Sequence, residues 1–213
     1  MYINVNLSIG CLFSKPIRLE YCIFAQTKKM ALTETIPLDL GFEAPHFDLA
    51  DPVNGGFKSL TDLKGENGTV VMFICNHCPF VIHIRAKLVE LATHYQARGI
   101  AFIAINSNDV ANYPDDSPEK MKEMALEHAF PFTYLFDETQ AVARAYNAAC
   151  TPDFSVFDSS LKCIYRGRLD DSTPGNGKPI TGTDLSQSLD LLLADKPQLS
   201  SQWPSLGCSI KWK

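Results

Sequence analysis

An apolar, β-branched run, Thr69-Val70-Val71-Met72-Phe73-Ile74, passes without a linker into Cys75-Asn76-His77-Cys78-Pro79 and then into a helical pattern. That junction constrains the fold more than any other stretch of the chain. A run of this composition reads as a buried strand. Behind it Phe80, Ile84, Leu88, Leu91, Ala92 and Tyr95 recur at three- and four-residue spacing, and Gly99 supplies a C-cap. A second buried strand, Ile100 to Asn106, follows directly. Strand, helix and strand in this order imply parallel pairing around a crossover helix.

The alternation continues. Ser117 is an N-cap with Pro118 at the first helical position, opening a helix that runs to about Ala129. Thr133 to Asp137 reads as a third strand and Gln140 to Ala148 as a short helix. Phe154 to Phe157 and Lys162 to Arg168, joined by Asp158-Ser159-Ser160, form an antiparallel hairpin. Asp184 to Ala194, with Leu185, Leu189, Leu192 and Leu193 on one face, closes the domain as a helix. Upstream, an alternating run at Gly41 to Leu49 and a turn carrying Pro52, Asn54, Gly55 and Gly56 predict an N-terminal β-hairpin. The expected class is α/β, a mixed central sheet with helices on both faces. Residues 1–29 read as an extension, disordered or lying upstream of a functional start at Met30. Residues 30–197 form the domain. Residues 198–213 form a polar, irregular tail that docks on the domain or hangs from it.

The net charge of −5, without a long basic run, argues against nucleic acid as a partner. No apolar run is long enough to span a membrane. The expected location is the cytoplasm. If residues 1–29 are a targeting segment, it becomes periplasmic or lipid-anchored: Leu7-Ser8-Ile9-Gly10-Cys11 is close to a lipoprotein cleavage box, with Ser8 where an aliphatic residue belongs. Seven scattered cysteines do not make a small disulfide scaffold. Cys11 and Cys22 lie in the extension, and Cys163 fits a packed strand position.

Cys75 and Cys78 carry the chemistry. A cysteine at a helix N-terminus has its thiolate stabilised by backbone N–H groups and the helix dipole. A C-x-x-C element beside a βαβ pattern reads as a thioredoxin-like redox motif, and thiol–disulfide exchange needs an accessible thiolate with a second thiol beside it. Cys75, before the first helical turn, is expected to be the more exposed, attacking thiolate, and Cys78 the resolving thiol. His77 adds a titratable neighbour. Cys150 and Cys208 are candidates for additional redox thiols; a packed thiol is the alternative for each. A zinc site built from Cys75, Cys78, Cys150 and Cys208 is the competing reading, weakened because only one C-x-x-C knuckle exists. The preferred reading needs no metal and no cofactor beyond a redox-active disulfide. Its partners are protein or small-molecule thiols and disulfides, and the expected assembly is a monomer or weak homodimer. Asp115 and Asp116 read as carboxylates favouring the helix that begins at Pro118.

The chain resembles the peroxiredoxin-like branch of the alkyl hydroperoxide reductase/thiol-specific antioxidant group, within the thioredoxin fold. The resemblance rests on Ala44-Pro45-His46-Phe47, Cys75-Asn76-His77-Cys78-Pro79-Phe80, Tyr113-Pro114-Asp115-Asp116-Ser117-Pro118, Cys150-Thr151-Pro152-Asp153-Phe154, Arg168-Leu169-Asp170-Asp171 and Pro204 to Trp212. It implies that Pro152 is cis and faces the dithiol, and that Thr151 and Pro152 shape a groove where the Thr151 backbone pairs with an extended polypeptide. It implies that Asn76 and His77 tune the redox potential. It also implies a departure: peroxiredoxins carry a P-x-x-x-T/S-x-x-C motif, and here Cys75 takes the place of the hydroxyl residue and Val71 that of the proline. Thiol–disulfide oxidoreductase is therefore the expected activity, with thiol peroxidase and a zinc-binding or non-catalytic module as alternatives.

Overall fold

In the computed structural model, residues 32–213 are described, and the N-terminal extension of residues 1–29, with Cys11 and Cys22, lies outside them. A seven-stranded sheet forms the centre. Its strands are β2 (Asp48–Ala50), β3 (Phe57–Ser59), β4 (Gly68–Phe73), β5 (Ile100–Asn106), β6 (Thr133–Phe136), β8 (Asp153–Phe157) and β9 (Cys163–Gly167), in the order β3-β2-β6-β5-β4-β8-β9. β4, β5 and β6 run parallel, and β2–β3 and β8–β9 close the two edges as antiparallel pairs. The mixed sheet and the N-terminal hairpin are thus both present.

The strand β4 explains why its sequence is apolar without alternation. Successive side chains of a strand point to opposite faces. Val70 and Met72 pack on one face with Val81, Ile84 and Leu88 of α2 (Pro79–Gln96), while Val71 and Phe73 pack on the other with Leu60, Ala143 and Tyr146. Both faces are covered, so every position must be apolar. On the α2 side lie also α3 (Pro118–Glu127) and α5 (Thr183–Leu193); α1 (Leu60–Leu63) and α4 (Ala141–Ala145) contribute to the other core.

The tail departs from its expected irregularity. Leu206–Ser209 forms a strand, β10, in a second sheet of order β1-β10-β7, where β1 is Leu32–Glu34 and β7 is Cys150–Thr151. All pairings there are antiparallel, with Cys208 opposite Thr151 on one side and Leu32 on the other. Beyond β10, the Ile210 N–H donates to the Ala149 carbonyl at 3.0 Å, and the Lys211 carbonyl accepts from Asp109 N–H and Gln140 Nε2, each at 2.8 Å. A polar composition concealed this strand, because its partners lie 57 and more residues away in sequence.

Candidate functional site

Cys78 is the N-cap of α2, with Pro79 at the first helical position, and Cys75 lies in the connection from β4. The Thr151–Pro152 peptide is cis. Thr151 faces both thiols: its Oγ1 is 3.4 Å from Cys75 Sγ, and its carbonyl oxygen is 3.1 Å from Cys78 Sγ. Cys208, carried in by β10, brings its Sγ to 3.0 Å from Cys78 Sγ. Three thiols and the Thr151-Pro152 turn therefore meet at the head of one helix. None of the five cysteines among the described residues is joined in a disulfide.

Cys75 is not the exposed thiol that its position suggested. It is 1% exposed and Cys78 0%. The reason is tertiary: β10 and the Thr151-Pro152 turn lie over the end of the helix. The electrostatic surroundings of the two thiols also differ. The Cys75 thiol is pushed well above the ordinary range by its hydrogen bond with Cys78, by burial and by the nearby Asp116 carboxylate. The Cys78 thiol is pulled down by its hydrogen bonding with Cys208 and then with Cys75, and its sulfur also receives the Val81 N–H in the first turn of α2. The carbonyl of Thr151 opposes this, since it accepts from a Cys78 S–H and repels a thiolate. Of the two motif thiols, Cys78 is the one whose surroundings favour the thiolate.

Asp116 is the residue whose role the sequence did not reveal. It is fully buried. Its Oδ1 accepts the Asn76 N–H at 2.8 Å and the His77 N–H at 3.3 Å, and its Oδ2 accepts Asn108 Nδ2 at 2.8 Å. Oδ2 also lies 2.7 Å from His77 Nδ1, a close ion pair rather than an aligned hydrogen bond. Asp116 thus holds the backbone between the two cysteines, instead of only favouring α3. The string Tyr113 to Pro118 was its one sequence signal. Asn76, 8% exposed, is fixed further by Tyr134 Oη at 3.0 Å and by the Asp115 carbonyl at 2.8 Å. His77 stacks on Tyr113, with ring centroids 5.6 Å apart, and its pKa is raised by Asp116.

Cys150 is not brought to the cluster. Its Sγ meets the Pro152 carbonyl at 3.6 Å and Thr35 Oγ1 at 4.0 Å, and burial pushes its thiol up. The four-cysteine zinc set is accordingly not assembled. Among the described residues, the group with metal-ligand spacing is Cys75, His77 and Asp116, with ligand atoms within 4.8 Å of one another. Asp116 there already accepts three N–H groups. Arg168, in the strand-end string Arg168-Leu169-Asp170-Asp171, pairs with Asp184 at 2.6 Å.

A mixed sheet with a dithiol at the head of its first crossover helix, facing a cis-proline turn, defines a thioredoxin-fold protein. The AhpC/TSA family model matches residues 40–166, more than half the chain, and the protein belongs to that family. An uncharacterized conserved protein from Geobacillus kaustophilus is similar at 54% identity and a TM-score of 0.85, over 86% of this chain and 97% of that one. A hypothetical protein from Sinorhizobium meliloti is similar at 41% identity and a TM-score of 0.83, over 85% of this chain and 98% of that one. A thiol:disulfide interchange protein of the thioredoxin family from Chlorobium tepidum shares the fold, with a TM-score of 0.55 at 18% identity, over 74% of this chain and 99% of that one. No curated protein matches the chain.

Proposed function

We propose that the protein is a thiol–disulfide oxidoreductase in which Cys78 is the reactive thiolate and Cys75 its partner. The observation that carries this reading is the place of Cys78: the N-cap of an 18-residue helix, within 3.1 Å of the Thr151 carbonyl that precedes the cis-proline. The Cys78 thiolate attacks one sulfur of a partner disulfide, forming a mixed disulfide and releasing the first partner thiol. A thiolate from Cys75 then attacks the Cys78 sulfur. The Cys75–Cys78 disulfide closes, and the second partner thiol leaves with the proton Cys75 gave up. The opposite direction runs the same steps in reverse.

Reduction of insulin by dithiothreitol tests the reading. Catalysis in the wild-type protein should fall to the background of dithiothreitol alone in Cys78→Ser. Undiminished turnover in that variant would overturn it. Thiol peroxidase is the second reading, favoured by the lowered pKa of Cys78 within an AhpC/TSA family chain. It requires saturable, Cys78-dependent consumption of hydrogen peroxide, despite Cys75 standing in the hydroxyl position.

A further inference from the structure

The edge of β7 beside the cis-proline is where an extended polypeptide would pair with a protein of this fold. In this chain the edge is taken. β10 pairs antiparallel with Cys150 and Thr151, and it presents a cysteine opposite Thr151 with its sulfur 3.0 Å from Cys78. We propose that β10 is a tethered occupant of the polypeptide groove, and that Cys208 closes the groove covalently through a Cys78–Cys208 disulfide. The proposal rests on the oxidoreductase reading and assigns that site its own internal competitor.

Three observations carry it. The first is proximity. The two sulfurs need to approach by only about 1 Å to reach the roughly 2.05 Å bond of a disulfide. The second is the closeness of the strand. A Cβ on Gly207 would lie 2.0 Å from the Thr151 carbonyl oxygen and 3.2 Å from Pro152 Cδ, so only glycine lets β10 reach the proline turn. The third is the double anchoring of the tail. Thr35 N–H donates to the Ser205 carbonyl at 2.9 Å and Ser205 N–H to Thr35 Oγ1 at 3.1 Å, before the strand; Lys211 N–H donates to Asn108 Oδ1 at 2.8 Å, after it. The strand is thus seated on both sides of the cysteine. With it seated, both motif thiols are buried, so a polypeptide reaches them only when β10 lifts.

The chemistry balances with a partner disulfide as oxidant. The Cys78 thiolate takes one partner sulfur and releases the first partner thiol. With β10 returned, Cys208 gives up its proton and attacks the Cys78 sulfur. The second partner thiol leaves, and the Cys78–Cys208 bond remains. Cys208 is held protonated in the reduced protein by its hydrogen bond to Cys78. Once Cys78 is in a mixed disulfide that hold is gone, and burial is left as the main barrier to loss of the Cys208 proton.

The test uses the reduced protein, hydroxyethyl disulfide as oxidant, N-ethylmaleimide quenching and peptide mapping without reduction. The expected product is a Cys78–Cys208 linked peptide, forming alongside Cys75–Cys78 in the wild type and as the sole linkage in Cys75→Ser. In Gly207→Ala the Cys78–Cys208 linkage should be lost, and alkylation of Cys78 should speed up about tenfold as the groove opens. Circular dichroism confirms that this variant is folded. If Cys75–Cys78 forms but Cys78–Cys208 never does, the inference fails and the oxidoreductase reading stands. If neither linkage forms, both fail.

Discussion

A hydrogen bond with Cys78, burial and a nearby carboxylate disfavour the Cys75 thiolate, and hydrogen bonding with Cys208 and Cys75 at a helix terminus favours that of Cys78. Cys75 and Cys78 were legible as a redox pair from their spacing and their place between a strand and a helix. The surroundings of each sulfur were not, because they are set by three groups remote in the chain: Asp116, Thr151 and Cys208. His77 offers a measurement at this scale. Asp116 raises its pKa, so the imidazolium is the form the fold stabilises. The resulting stability is fully present below the unfolded pKa of about 6.5 and is lost as pH rises through the higher folded value. Proton NMR should place the His77 titration above the ordinary histidine range, and Asp116→Asn should move it down. An unchanged midpoint in Asp116→Asn would refute the pairing.

Elements were predicted with small errors at their ends. The helix expected from Phe80, with Gly99 as its C-cap, runs from Pro79 to Gln96 with Ala97 as its C-cap, and the strand Ile100 to Asn106 falls as read. Local periodicity and capping decide these, and both are written in consecutive residues. β10 was missed because Leu206-Gly207-Cys208-Ser209 has no local preference for a strand and is ordered by β1 and β7 alone. The β8–β9 pair is held by a buried ion pair that sequence could not assign. Arg166 Nη2 lies 2.9 Å from Asp153 Oδ2, Nη1 donates to Ser155 Oγ at 2.7 Å, and both charged side chains are at most 2% exposed. Arg166→Met leaves Asp153 buried without its partner and should cost about 3–5 kcal/mol in urea denaturation. A loss under 1 kcal/mol would show that the pair adds nothing.

For the whole molecule, the two sheets divide the labour of stability. β4, β5 and β8 are paired on both edges inside the larger sheet, with apolar cores on both faces. β10 and β1 lie outside it, and Leu32 of β1 is 61% exposed. Native-state hydrogen exchange should therefore show the amides of Leu206 to Ser209 opening at lower free energy than those of Val70 to Met72. Equal protection would make the tail part of the global unit and remove the lifting step proposed for it. Deleting residues 205–213 removes Ile210 and Cys208 from the two cores and the Ser205 hydrogen bond to Gly167, yet should leave the larger sheet folded, with near-native far-ultraviolet circular dichroism, since none of its seven strands pairs with β10. By itself, the sequence determined the order of strands and helices, the mixed sheet and the dithiol at its first crossover. Each of these rests on patterns carried by neighbouring residues. Only the tertiary structure decided that both thiols are buried, that Asp116 holds the turn between them, and that Cys208 reaches Cys78. Those outcomes depend on burial and on contacts between residues 40 to 130 positions apart, and no local pattern records them.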